Sequence, residues 1–171
     1  IKKNYKRKYK ADGFVTKNKN IAIGILTADC APILFYNNKN KIIGAAHAGW
    51  KGCILNIIES ALIIIKKIKP ITKKINAIIG PCINKNNFEI DMELKDKFVT
   101  VNPIYKKYFF NKSNKKILFD MRKLINFQLQ SNQITNIENI EIDTYSNEDL
   151  FYSHRRSTHE DALPTGRMIN I

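Results

Sequence analysis

The stretch Thr27–Gly52, TADCAPILFYNNKNKIIGAAHAGWKG, decides how the rest of the chain is read. Two apolar runs, Ile33–Tyr36 and Ile42–His47, flank Asn37-Asn38-Lys39-Asn40. Asparagines bond to their own backbone and tolerate left-handed conformations, so this segment predicts a turn and the whole stretch a β-hairpin. On the second strand the period of two puts Ile43, Ala45 and His47 on one face and Gly44, Ala46 and Ala48 on the other. The small residues around His47 leave room for another backbone or a ligand. Cys30 precedes the first strand and His47 closes the second, so the two meet at one end of neighbouring strands. Sulfur plus imidazole is the donor pair that zinc prefers, with copper as the alternative.

Outward from the hairpin, Ala11–Thr16 reads as a short lead-in strand and Ile21–Leu26 as a strand. Downstream, Ile54, Ile57, Ile58, Ala61, Leu62 and Ile65 recur at three- and four-residue steps, predicting one helix over Cys53–Lys67 that Pro70 ends. Strand Ile75–Ile79 runs into Gly80-Pro81-Cys82-Ile83, and a helix follows over Phe88–Val99. Lys106–Lys116 reads as a polar, aromatic-rich connection. A helix over Asp120–Gln130 is capped by Asp120, followed by strands at Ile137–Ile142, Leu150–Ser153 and Arg167–Ile171. The order of elements predicts one α/β domain over residues 1–171, a mixed β-sheet core with flanking helices.

The net charge of +14 comes almost entirely from lysine spread along a chain rich in Ile and Asn. That spread argues against a nucleic-acid module, whose basic residues cluster on one face. The concentrated run Lys2–Lys10 reads as a solvated segment rather than a phosphate-gripping arm. No apolar stretch approaches a membrane span, and Ile1–Lys10 lacks the apolar core of a signal peptide. Three cysteines without CxxC spacing point to a reducing cytoplasm. The sequence begins at Ile1 rather than Met, the expectation being a missing N-terminal part.

The chemistry-bearing residues each have a structural alternative. Cys30 reads as a metal ligand or as a small buried hydrophobe, and His47 as a metal ligand or as a packed histidine. Cys82 reads as a catalytic thiol or substrate contact, or as turn packing, and Cys53 as a helix-packing thiol. Arg155 reads as a fork for phosphate or as half of a surface ion pair. Lys51 stands at a helix start, where backbone N–H groups also favour an anion. Asp29 is placed to orient a proton or a ligand. His154 and His159 read as surface residues, with a substitute metal ligand as the alternative.

TADCAPIL, GAAHAGWKG, GPCI, FYSHRR and TGRM, in this order, resemble the YfiH family, also called the multicopper polyphenol oxidase or laccase-domain family and better described as purine nucleoside phosphorylase-like. The likeness runs from about Ala11 to the C-terminus and implies a layered α/β sandwich. It implies a transition metal, usually zinc, held by two His and one Cys, of which Cys30 and His47 match two. The remaining histidine belongs to a His-Gly motif N-terminal to Ala11 that this sequence does not contain, so the chain is either a fragment or short of a ligand. Arg155 and Arg156 match the family's paired arginines, Arg167 belongs to the last block, and Lys51 stands where the family often has Arg. His154 replaces a usual Tyr and Asp143 a usual Cys.

The resemblance implies phosphorolysis of adenosine or inosine to base and ribose 1-phosphate, with adenosine deaminase activity alongside. Phosphate would be held by Arg155 or Lys51. The partners would be a purine nucleoside and phosphate, with a homodimer possible. Alternatives are a non-catalytic remnant of the fold, copper-dependent polyphenol oxidation, and a role in editing peptidoglycan precursors.

Overall fold

The computed structural model describes residues 11–68, 75–112 and 116–171. In chain order it places β1 (Gly13–Thr16), β2 (Ile25–Thr27), β3 (Ala31–Asn37), β4 (Ile42–Ala48), α1 (Trp50–Ile54), α2 (Ile57–Ile68), β5 (Asn76–Ile79), β6 (Glu89–Ile90) and α3 (Met92–Val101). A 3₁₀ turn (Pro103–Tyr108), β7 (Phe109–Asn111), β8 (Ile117–Phe119), α4 (Met121–Ser131), β9 (Asn136–Asn139), α5 (His154–His159) and β10 (Met168–Asn170) follow. The protein is an α/β fold with a mixed sheet and flanking helices.

The main sheet has the order β1-β4-β3-β5-β9, antiparallel except for the parallel β5–β9 pair. β3 and β4 form the hairpin expected from the sequence, from Ala31 opposite Ala48 to Asn37 opposite Ile42. Asn37 closes the turn by accepting from the Asn40 N–H at 2.9 Å. Along β4, Ile42, Gly44, Ala46 and Ala48 are buried on one face, while on the other Ile43 is exposed and His47 half-buried, with Ala45 between them buried as well. The apolar core gathers Ile33, Phe35, Ala46, Ile58, Leu62 and Ile79 with Leu124, Ile125 and Leu129.

The helix predicted over Cys53–Lys67 is two helices. Asn56 turns left-handed at φ 51° between α1 and α2, a conformation Asn tolerates better than most residues. Its Nδ2 donates to Glu59 Oε2 at 2.8 Å, tying the break to the first turn of α2. The apolar stripe survives, because Ile58, Ala61, Leu62 and Ile65 remain buried. Pro70 lies outside the described residues. The strand predicted over Ile21–Leu26 shrinks to β2, which pairs with β10 in a separate two-stranded sheet. Ala22 and Gly24 offer little side chain to hold a longer ladder.

The region read as a helix over Phe88–Val99 begins instead with β6, and α3 starts after Asp91, whose carboxylate accepts from the Leu94 N–H at 2.7 Å. The predicted connection Lys106–Lys116 contains part of the 3₁₀ turn and β7, and β8 follows it. β6, β8 and β7 form a three-stranded antiparallel sheet. Side chains hold it together. Phe98 lies 4.9 Å from Phe119 and 5.3 Å from Phe109, ring centre to ring centre, and Phe109 stacks on Phe119 at 4.7 Å. Leu150–Ser153 makes no strand; Ser153 caps α5 by accepting from the Arg156 N–H at 3.1 Å.

Candidate functional site

The site is built around Asp29, a buried carboxylate in the left-handed region at φ 81°. Three donors from distant parts of the chain fill it. Thr144 Oγ1 donates to one oxygen at 2.7 Å. Ser153 Oγ and the Arg155 N–H donate to the other at 3.0 and 2.7 Å. The Asp29 carbonyl also accepts from the Ile83 N–H at 3.0 Å. Asp29 thus pins the 144 loop, the start of α5 and the turn after β5 to the start of β3. Its carboxylate is spent on this framework, so what it places is the neighbouring Cys30.

Cys30 and His47 face one another across Gly49. A Cβ on Gly49 would lie 2.7 Å from Cys30 Sγ and 3.9 Å from His47 Nε2, so both side chains close on the same point and only glycine fits between them. Burial foremost, then the Asp29 charge, pushes the Cys30 thiol up to about 11, with Arg167 pulling the other way. Burial also holds His47 below its ordinary value, against the pull of Asp12, whose Oδ1 is 3.8 Å from His47 Nδ1. The imidazole is therefore neutral at pH 7, the form that binds a metal.

The donor types suit zinc, but their number does not complete a site. Among the described residues no group of three or more His, Cys, Asp or Glu side chains gathers to hold an ion. His154 and His159 do not fill the gap. His154 lines the neighbouring cavity, and His159 Nδ1 is 3.0 Å from the Tyr145 hydroxyl.

Cys30 opens onto a cavity of about 750 Å³ whose apolar walls include Trp50, Ile83, Phe88 and Leu94. Arg155 enters it from the start of α5. Its Nη2 donates to the Glu89 carbonyl at 2.7 Å, and its guanidinium carbon lies 5.9 Å from the centre of the Phe88 ring. Among the described residues the remaining guanidinium N–H groups have no hydrogen-bond partner, which leaves them to meet a ligand. Glu89, on the same wall, is held down to about 2 by hydrogen bonds from Lys112 and Lys116 at 2.5 and 2.7 Å.

The structure brings Cys30, His47, Asp29 and Arg155 together and leaves Lys51 and Cys82 aside. Lys51 lines a separate groove with Ile54 and Leu55, its ammonium 5.3 Å from the centre of the Trp50 ring. Cys82 is sealed: burial pushes its thiol up to about 12, and its backbone N–H and carbonyl bond to Ile142 and Thr144. The paired arginines divide their work. Arg156 donates to the carbonyls of Thr144, Tyr145 and Phe151, at 3.0, 2.7 and 2.6 Å, and holds the loop. Asp143 would be raised by burial, but bonds from Ser146, Asn84, Asn87 and Tyr145 hold it low and lock the wall behind Ile83. The aromatic walls Trp50 and Phe88 escaped the sequence reading. The one tryptophan of the chain, directly after Gly49, was the available signal.

A family profile described as multi-copper polyphenol oxidoreductase laccase matches residues 1–171. Over 150 residues the chain is 37% identical to a purine nucleoside phosphorylase of Rickettsia prowazekii, covering 87% of this chain and 62% of that protein. A purine nucleoside phosphorylase of Rickettsia conorii is 40% identical over 151 residues, with coverages of 87% and 62%. The crystal structure of the Bacillus licheniformis protein YfiH matches with a TM-score of 0.79 at 30% identity, covering 92% of this chain and 59% of that one. The chain spans 62% of the length of the two curated relatives.

Proposed function

The chain belongs to the multi-copper polyphenol oxidoreductase laccase family, and from that premise we propose that it is a purine nucleoside phosphorylase working at the Cys30–Arg155 cavity. The observation that carries the reading is Cys30: its thiol closes with the neutral His47 imidazole at Gly49 and lines, together with the Arg155 guanidinium, one apolar-walled cavity. Trp50 and Phe88 offer flat surfaces for a purine, and Arg155 offers a planar fork for phosphate. A phosphate oxygen bonds to the ribose C1′, the C1′–N9 bond breaks with its electrons passing to the purine, and the base leaves carrying the proton that the phosphate gives up. The apolar walls exclude water, which would otherwise give ribose in place of ribose 1-phosphate.

In this proposal Cys30 and His47 are two protein ligands of a zinc ion, with copper the alternative, and adenosine deamination is a second activity of the same site. A bound zinc would supply Lewis acidity or an acidified water. Asp29 acts from beneath, by holding Cys30 and Arg155 at their spacing. Polyphenol oxidation by several coppers has less support here, because the sequence holds only three histidines and His159 is engaged by Tyr145. The test is loss of inosine and adenosine with and without inorganic phosphate, following ribose 1-phosphate. The reading expects phosphate-dependent cleavage that Arg155→Ala weakens through KM for phosphate; cleavage independent of phosphate makes the chain a hydrolase, and no loss of either nucleoside returns it to a non-catalytic remnant.

A further inference from the structure

Arg122, in the first turn of α4, carries a positive charge that the fold leaves without an answer. Its Nη1 is enclosed and has no hydrogen-bond partner among the described residues. No described carboxylate forms an ion pair with it. An enclosed guanidinium donor without an acceptor is destabilising, so such a group points to a missing acceptor.

The guanidinium belongs to a second cavity of about 440 Å³, whose lining includes Cys82, Asn84, Lys85, Asn139 and Glu141. Most other polar groups there are already committed. Asn126 and Asn139 exchange amide bonds at 2.9 and 3.0 Å. Asp120 caps α4 by accepting from the Lys123 N–H at 3.1 Å and holds the Lys123 ammonium at 3.5 Å. The Lys85 ammonium sits 4.8 Å above the centre of the Phe110 ring. Glu141 lines the cavity outside ion-pair distance of Arg122. Among the described residues that leaves the Arg122 guanidinium unpaired on the wall of a polar cavity, and its planar fork matches oxygen pairs on a small anion.

We propose that Arg122 anchors a second anion site, separate from the Cys30–Arg155 cavity, that takes a small tetrahedral oxyanion such as inorganic phosphate. Ile83 lines both cavities, so the two sites share a wall. The site does not depend on nucleoside chemistry and stands or falls without it.

The test is calorimetric titration of inorganic phosphate into the protein with no nucleoside present. Arg155→Met is the background, since it removes the guanidinium proposed for catalysis. In that background one phosphate binds. Adding Arg122→Met weakens it by about tenfold or more, as expected for loss of a bidentate charged contact. Arg122→Lys, which keeps the charge and loses the fork, weakens it less. Glu141→Gln removes a negative charge from the cavity lining and tightens it several-fold. The proposal is overturned by phosphate binding that ignores Arg122→Met, or by none in the Arg155→Met protein. It is equally overturned if Glu141→Gln lowers the melting temperature without altering phosphate binding, because Arg122 would then be paired with Glu141.

Discussion

Cys30 and Cys82 both stand at a strand end, beside the β3–β5 pair, and they live in opposite surroundings. Cys30, at the start of β3, is half-buried and closes with His47 on the space over Gly49. Cys82, beyond the end of β5, is 1% exposed and bridges to Asp143. Sulfur at a strand tip is not in itself a reactive position. What separates the two is the neighbour: a glycine that leaves an opening beside one, and a loop that closes over the other.

The sharpest way to break this comparison is to remove each thiol in turn and follow nucleoside cleavage. Cys30→Ala is expected to lower kcat/KM by roughly a hundredfold or more, the scale seen when groups around a metal are disturbed. Cys82→Ala is expected to leave kcat/KM nearly unchanged. Equal losses would erase the distinction between them.

Asp29→Ala comes next. It strips the acceptor from the Thr144 and Ser153 hydroxyls and the Arg155 N–H at a buried site, and a destabilisation of about 3 kcal/mol is expected in urea melts. Asp29→Asn keeps one carbonyl acceptor and should cost less. If Asp29→Ala melts like the parent but loses substrate affinity, the residue touches substrate and the framework reading fails. Cys82→Ala, by contrast, should cost about 1 kcal/mol for the small void it opens.

Thiol chemistry sharpens the comparison further. In chelator-treated protein, alkylation of Cys30 should keep rising with pH toward about 11, because burial raises that thiol above its ordinary value and the thiolate is the nucleophile. Cys53 and Cys82 should stay unmodified until the protein unfolds. A plateau near 9 would mean that Cys30 is open to water.

The smallest effect belongs to the cavity wall. Glu89 is held down to about 2, well below the ordinary carboxylate range, by hydrogen bonds from Lys112 and Lys116. Its folded value is depressed, so its contribution to stability is complete above the unfolded value and fades as the pH falls from there toward 2. Glu89→Gln should therefore lower the melting temperature slightly near pH 7 and converge on the parent as the pH falls toward 2, which flattens the acid limb. An acid limb identical to the parent's would place the two lysines elsewhere in solution.

The β3–β4 hairpin was legible because strict alternation and an asparagine turn are local signals, and α4 was legible because Asp120 caps a clear apolar stripe. The interruption at Leu55–Asn56 was not, since the stripe continues in phase on either side of it. β6, β7 and β8 are two or three residues each, held by aromatic packing from Phe98 and Phe119 that no local pattern announces. At the site, Cys30 and His47 could be paired from the hairpin alone. The role of Asp29 could not, because its partners Thr144, Ser153 and Arg155 lie more than a hundred residues away. Arg122 escaped for a similar reason: only the folded molecule shows that a helix-surface arginine is enclosed without an acceptor.

The most direct measurement is the visible and near-ultraviolet spectrum of the protein loaded with cobalt(II), in the parent, Cys30→Ser, His47→Gln and Cys82→Ser. A thiolate bonded to cobalt gives a charge-transfer band. The band should be present in the parent and in Cys82→Ser, absent in Cys30→Ser, and altered in His47→Gln. A band that survives Cys30→Ser, or none in the parent, would contradict a shared ion between the two strand tips.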